Sequence, residues 1–228
     1  MPDLNLTALR RELAAAGDSD RAASQQRYMK SDLPYHGLAA PQLKALLRPH
    51  LAAYAPGTRA GWEADVRRVW DGATHREEWY VALALARHRA ARPWQDPGAL
   101  DLYRHLVVTG AWWDVVDEIA SHLVGGVLAG HREATTPVLR RCATDDDLWL
   151  RRTAVLSQLR HRADTDLDLL THAIDCNAGD RSFWLRKAIG WALREHARTD
   201  PDWVRRFVAD RAEALSPLSQ REALRHLV

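Results

Sequence analysis

An acid, an arginine and a lysine stand 35 residues apart in this chain, at Asp117, Arg152 and Lys187, and each follows a tryptophan by three or four positions. The tryptophans lie in WWDVVD at 112–117, WLRR at 149–152 and WLRK at 184–187, with a fainter copy at Trp79, 70 residues before Trp149. A fixed period of this length marks stacked helical repeats, whose equivalent slots point the same way. One surface then carries a carboxylate beside a column of cations. Trp113 and Asp117, four apart, share a helix face; so do Lys187, Trp191 and Arg194 at spacings of four and three, and Arg152 with Arg160 at eight. Cations neutralise phosphates, while indoles pack against sugars or stack on bases, so the mixture suits a nucleic-acid strand. A lone carboxylate repels that ligand. Its presence points to chemistry in which positive charge develops beside it.

Structural roles stay open for the same residues. Tryptophans at helical spacing are more often core than platform, and Trp149 and Trp184, repeating in phase, read as packing. Asp117 can equally pair with Arg152 as a structural ion pair. Tyr28 and Lys30 close a helical segment before a loop, where a phenol and an ammonium can meet a phosphate; a lysine there also favours the helix dipole. The 11 histidines show no H-E-x-x-H spacing and no Cys/His cluster, which argues against a metal site. Gly125-Gly126 follows no strand and is not a phosphate loop.

Positioning such a surface requires helices. Leu6, Leu9 and Leu13 have helical spacing, a second segment runs from Ser19 to Met29, and Pro41 opens a third after the loop holding Pro34 and Gly37. Thr74 with Glu77 and Ser219 with Glu222 fit capping boxes; Thr136-Pro137 and Asp200-Pro201 pair a cap with a first-turn proline. Gly110, Gly130 and Gly179 are helix stops, and no stretch sustains strand alternation. The expectation is an all-α chain of twelve or thirteen helices: a curved superhelical stack of antiparallel pairs (an α-solenoid), forming one domain over 1–228.

At 228 residues the chain can bury a sizeable core, and 46% hydrophobic with 27% charged residues fits a globular protein. No apolar run approaches a membrane span, and the opening MPDLNLTALRREL lacks a signal-peptide core. With only Cys142 and Cys176, neither a disulfide framework nor a four-cysteine zinc site is expected, so the chain is placed in the cytoplasm. A net charge of +2 is too small to argue for nucleic acid, but among 32 basic residues only Lys30, Lys44 and Lys187 are lysine. Arginine is the cation that grips phosphate with a planar fork.

Six blocks in order, RYMK at 27–30, Gly37 to Pro41 as G-x-x-x-P, WWDVVDEIA at 112–120, DLWLRR at 147–152, KAIGWALRE at 187–195 and LSQREALRH at 218–226, resemble the AlkD family of DNA glycosylases, built from HEAT-like repeats. The resemblance spans nearly the whole chain. It implies excision of cationic N3- and N7-alkylpurines from double-stranded DNA without metal or cofactor, by a nucleoid-associated cytoplasmic enzyme with a monomer as the default. By position, Asp117 matches the catalytic carboxylate, Trp113 and Trp191 the aromatic pair gripping the backbone, and Arg152 the arginine at a backbone phosphate. Tyr28, Lys30, Lys44, Arg160, Lys187 and Arg194 are the further residues assigned to DNA. Ala39 departs from the larger polar side chain of well-known members, which puts contact to the opposite strand in doubt. Two rivals remain: a DNA-binding paralogue without excision activity, and a protein–protein scaffold.

Overall fold

The computed structural model describes residues 4–227, and all regular structure among them is helical. The chain divides between Trp94 and Gln95 into two compact units. Fourteen α-helices are present among the described residues. The expected count was twelve or thirteen, and part of the difference is one run interrupted by a π-helical segment, described below.

The first unit holds α1 (Leu6–Ala15), α2 (Ser19–Met29), α3 (Ala40–Ala53), α4 (Arg59–Asp71) and α5 (Arg76–Ala86). Leu9 and Leu13 of α1 are buried, as their spacing requires, and α2 has the bounds read from the sequence. Asp18 caps α2 by accepting from Arg21 N–H, and the helix ends in the left-handed conformation at Lys30. Trp62, Val66, Val69 and Leu85 form the fully buried centre, with Trp62 Nε1 donating to the Leu85 carbonyl. The loop before α3 is pinned by Glu77, a buried carboxylate that accepts from the N–H groups of His36, Gly37 and Leu38. Glu77 is therefore not a capping-box partner of Thr74. The α5 N-cap is His75, and Thr74 bonds Glu78 instead.

The second unit runs through α6 (Leu100–Gly110), α7 (Trp113–Glu118), a π segment (Ile119–Val124) and α8 (Gly125–Gly130). It continues with α9 (Arg132–Cys142), α10 (Leu148–Leu156), α11 (Leu167–Asp175), α12 (Phe183–His196), α13 (Pro201–Asp210) and α14 (Pro217–Leu224). Ala120, Ala154, Val155, Leu170, Ile174, Ile189, Leu193 and Phe207 belong to its core. Residues 113–130 form one helical run whose middle turn widens: Gly125 N–H reaches back five residues to the Ala120 carbonyl. Such a π turn admits one extra residue into a helix. Gly125 then passes so close to the end of α10 that a Cβ would stand 2.3 Å from the Ser157 carbonyl oxygen. A side chain there would force one backbone off the other. A second tight crossing is Gly190 of α12, where a Cβ would meet Glu222 Cβ at 2.5 Å and the Ser219 carbonyl oxygen at 2.9 Å.

Of three further cap expectations, one holds and two are revised. Asp200 does cap α13, with Pro201 in its first turn. Pro137, however, lies inside α9, which begins at Arg132. Ser216, not Ser219, caps α14, so Glu222 lies beyond the first turn and its carboxylate is used elsewhere.

Candidate active site

Asp117 stands near the end of α7, two residues before the π segment. Its carboxylate is gripped from the next repeat: Arg152 Nε donates to Oδ1 at 2.6 Å and Nη2 to Oδ2 at 2.8 Å. This is the paired fork that only arginine offers a carboxylate. The third nitrogen, Nη1, donates to the Trp184 carbonyl. All three guanidinium nitrogens thus have partners within the protein, and the Arg152 side chain is 5% exposed. Arg152 lies behind the carboxylate and holds it in place. Asp117, at 13%, keeps one edge open.

That edge opens on a cleft of about 370 Å³ lined by Trp113, Asp117, Arg160 and Trp191, with Asp114, Glu118, His122 and Glu195 on its walls. Both indoles, the acid and one of the expected DNA-binding arginines therefore share a single hollow. Asp114 also faces it. Ser121 donates to the Asp117 main-chain carbonyl at 2.6 Å, fastening the turn that carries the acid. Burial pushes the Asp117 carboxyl above its usual range, the Arg152 hydrogen bonds and charge oppose the shift, and Asp114 adds to it.

An aromatic cluster joins the repeats that carry these side chains. Trp112, Trp149 and Trp184 meet with ring centroids 5.2–6.1 Å apart, so the in-phase tryptophans are packing residues. They support α7, α10 and α12 at the places from which Asp117, Arg152 and Lys187 depart.

Lys187 and Arg194 share a stripe on α12, and both are paired with Glu222. Lys187 Nζ lies 2.9 Å from Oε1, and Arg194 Nη1 donates to Oε2. The Lys187 hydrogen bond is the largest influence holding the Glu222 carboxyl below its ordinary value. Sequence reasoning missed Glu222, although it stands 35 residues after Lys187. It is the fourth occupant of the Asp117–Arg152–Lys187 slot. The three remaining DNA-assigned residues belong to the first unit. Tyr28 is 77% exposed at the end of α2, Lys30 is exposed, and Lys44 is exposed on α3. Tyr28 and Lys44 border a separate, largely apolar hollow of about 510 Å³ with Met29, Leu43 and Leu47. Ala39 begins α3 without a side-chain cap, and Gln42 accepts from its N–H instead. No described helix is long and apolar enough to cross a membrane.

Comparison with known proteins follows the same lines. A protein-family profile described as DNA alkylation repair enzyme matches residues 9–227. Among solved structures, a predicted DNA alkylation repair enzyme from Enterococcus faecalis is 29% identical over 93% of this chain and 97% of its own, with a TM-score of 0.82. No curated protein matches.

Proposed function

Since the chain belongs to the DNA alkylation repair enzyme family, we propose that it is a monofunctional DNA glycosylase hydrolysing the N-glycosidic bond of cationic N3- and N7-alkylated purines in double-stranded DNA. The observation that carries the proposal is the cleft in which Trp113, Trp191 and one edge of Asp117 converge, with the Arg152 fork behind the acid.

Alkylation at N3 or N7 leaves the purine positively charged. When the C1′–N bond breaks, its electron pair neutralises the departing base and the sugar becomes an oxocarbenium-like cation. The Asp117 carboxylate, poorly solvated and fixed in direction, stabilises that cation more strongly than bulk water would. Water then adds to C1′ and its proton passes to Asp117 or to solvent. No general acid is needed, because the base leaves neutral; glycosidases with paired carboxylates must protonate theirs. Trp113 and Trp191 pack against the deoxyribose and its neighbours, and Arg160 meets a flanking phosphate. Arg152 acts as a positioning residue through Asp117. Tyr28, Lys30, Lys44, Lys187 and Arg194 serve the DNA backbone, the last two after exchange with Glu222. The residues named above engage the sugar and the backbone and leave the base unenclosed, so the proposed activity extends to bulky purine adducts.

The test is release of N7-methylguanine from a defined duplex. Asp117→Asn lowers the single-turnover rate about 100-fold or more, the scale on which removing one preorganised electrostatic group acts, while DNA affinity stays within a few-fold. Equal rates for the two proteins would instead make the chain a DNA-binding paralogue. The same assay on a duplex carrying a bulky adduct, with release no faster than the spontaneous rate, removes the extension to large lesions.

A further inference from the structure

At the start of α5, in the first unit, three side chains with metal-ligating atoms come together. A ring nitrogen of His36, one of His75 and a carboxylate oxygen of Glu78 lie within 4.8 Å of one another. The two imidazoles are stacked, 3.7 Å between centroids and 10° from parallel; their lone pairs lie in the ring planes, so both nitrogens reach one ion only after a ring turns about its Cβ–Cγ bond. His36 Nε2 is shielded from solvent and has no hydrogen-bond partner. An unsatisfied buried nitrogen costs free energy unless something accepts its lone pair or receives its proton.

The surroundings fix the other two groups. Thr74 Oγ1 lies 2.7 Å from Glu78 Oε1 and 3.1 Å from His75 Nδ1. A carboxylate only accepts, so the hydroxyl hydrogen goes to Glu78, and the hydroxyl must accept from His75 Nδ1–H. That tautomer leaves His75 Nε2 with a bare lone pair, the state in which a histidine binds a cation, oriented by an outer partner as metal-bound histidines commonly are. Arg10 Nε and Nη2 both fall on Glu78 Oε2, at 2.9 and 2.6 Å. Oε1, held by Thr74, is the oxygen open to exchange. His36 is itself anchored, because its backbone N–H donates to Glu77.

We propose that His36, His75 and Glu78 form a binding site for a zinc-like divalent cation that ties the loop before α3 to the first turn of α5. Two imidazoles and one carboxylate are a donor set for zinc with a fourth position left to water. The role is structural: a cation bridging His36 and Glu78 joins segments that otherwise meet through the Glu77 hydrogen bonds and the Arg76 N–H to Pro34 carbonyl bond. Catalysis at the cleft needs none of it, so the site stands or falls separately from the glycosylase proposal.

The experiment uses full-length protein stripped with a chelator and titrated with Zn²⁺ against a chromophoric competitor, beside His36→Gln, His75→Ser and the double variant. Serine at position 75 is a favoured N-cap, so the helix start is kept, and circular dichroism of the metal-free variants verifies the fold. The wild type binds one equivalent, each single variant binds at least tenfold more weakly, and Zn²⁺ raises the wild-type melting temperature by several degrees. Cobalt substitution gives the wild type a visible d–d band that the double variant lacks. Unchanged affinity in both single variants, or a wild type that retains no more metal than the double variant, overturns the proposal. Should a variant fail to fold, the wild-type stoichiometry and cobalt spectrum still decide it.

Discussion

The Asp117 carboxyl is caught between two opposing influences. Burial favours its neutral form, the Arg152 fork favours the anion, and burial prevails. On the proposed mechanism the anion is the active form, so the raised pKa fixes where acid stops the reaction. The single-turnover rate on N7-methylguanine should fall with decreasing pH through an acid limb above the usual aspartate range, and Asp117→Asn should abolish that limb. Arg152→Lys removes the fork but keeps one charge. It should move the limb further upward, a change that a purely structural loss of folded enzyme would not produce. The ion pair is nearly buried on both sides, at 5% and 13%. Arg152→Ala should therefore also cost about 3–5 kcal/mol of stability, the usual cost of leaving one member of a buried pair alone, read as a shift in a denaturant midpoint.

Single helices carry this geometry through two contacts that tolerate no side chain. With Gly125 pressed on the Ser157 carbonyl, Gly125→Ala should lower the stability by roughly 1–3 kcal/mol, as overpacking generally does, measurable by thermal melting. On the proposed reading, Glu222 controls what α12 offers to DNA, because it holds both Lys187 and Arg194. Glu222→Gln should release Lys187 and Arg194, tightening non-specific DNA binding several-fold. It should also steepen the dependence of log K on log salt by about one to two units, since each phosphate contact contributes about 0.9.

Much of this was legible as period and spacing. The 35-residue recurrence became literal ion pairs, Asp117 with Arg152 and Lys187 with Glu222, because equivalent slots of successive repeats touch. The bounds of α2 were legible because Asp18, a favoured capping residue, stands just outside them. Other features left no pattern. Whether Thr74 or His75 caps α5 depends on backbone angles that a capping-box spacing does not specify. The π segment has no composition of its own. The His36–His75–Glu78 cluster joins a loop to a helix start far along the chain, so no ligand spacing announces it.

Across the molecule, the buried histidines set the response to acid. In the second unit, burial holds His161 and His196 below the ordinary imidazole value. The unfolded chain protonates both below about pH 6.5, whereas the folded chain resists until their lower native values are reached. The unfolded state then binds more protons, and stability falls as pH drops through that window. Melting temperatures at pH 7.5 and 5.5 should differ, and His161→Gln with His196→Gln should flatten the difference even if both values are lower overall.

The widened turn at Ile119–Val124 sets the phase between two halves of one rod: Trp113 and Asp117 upstream, and the Gly125 anchor downstream. Rewinding it to an ordinary α-helix with every residue kept would swing the halves by about 100° relative to each other. The smoother rod would aim its acid into the wrong sector while its own backbone hydrogen bonds improved. An engineer who rewarded regularity alone would thus arrive at a sturdier protein whose cleft no longer comes together.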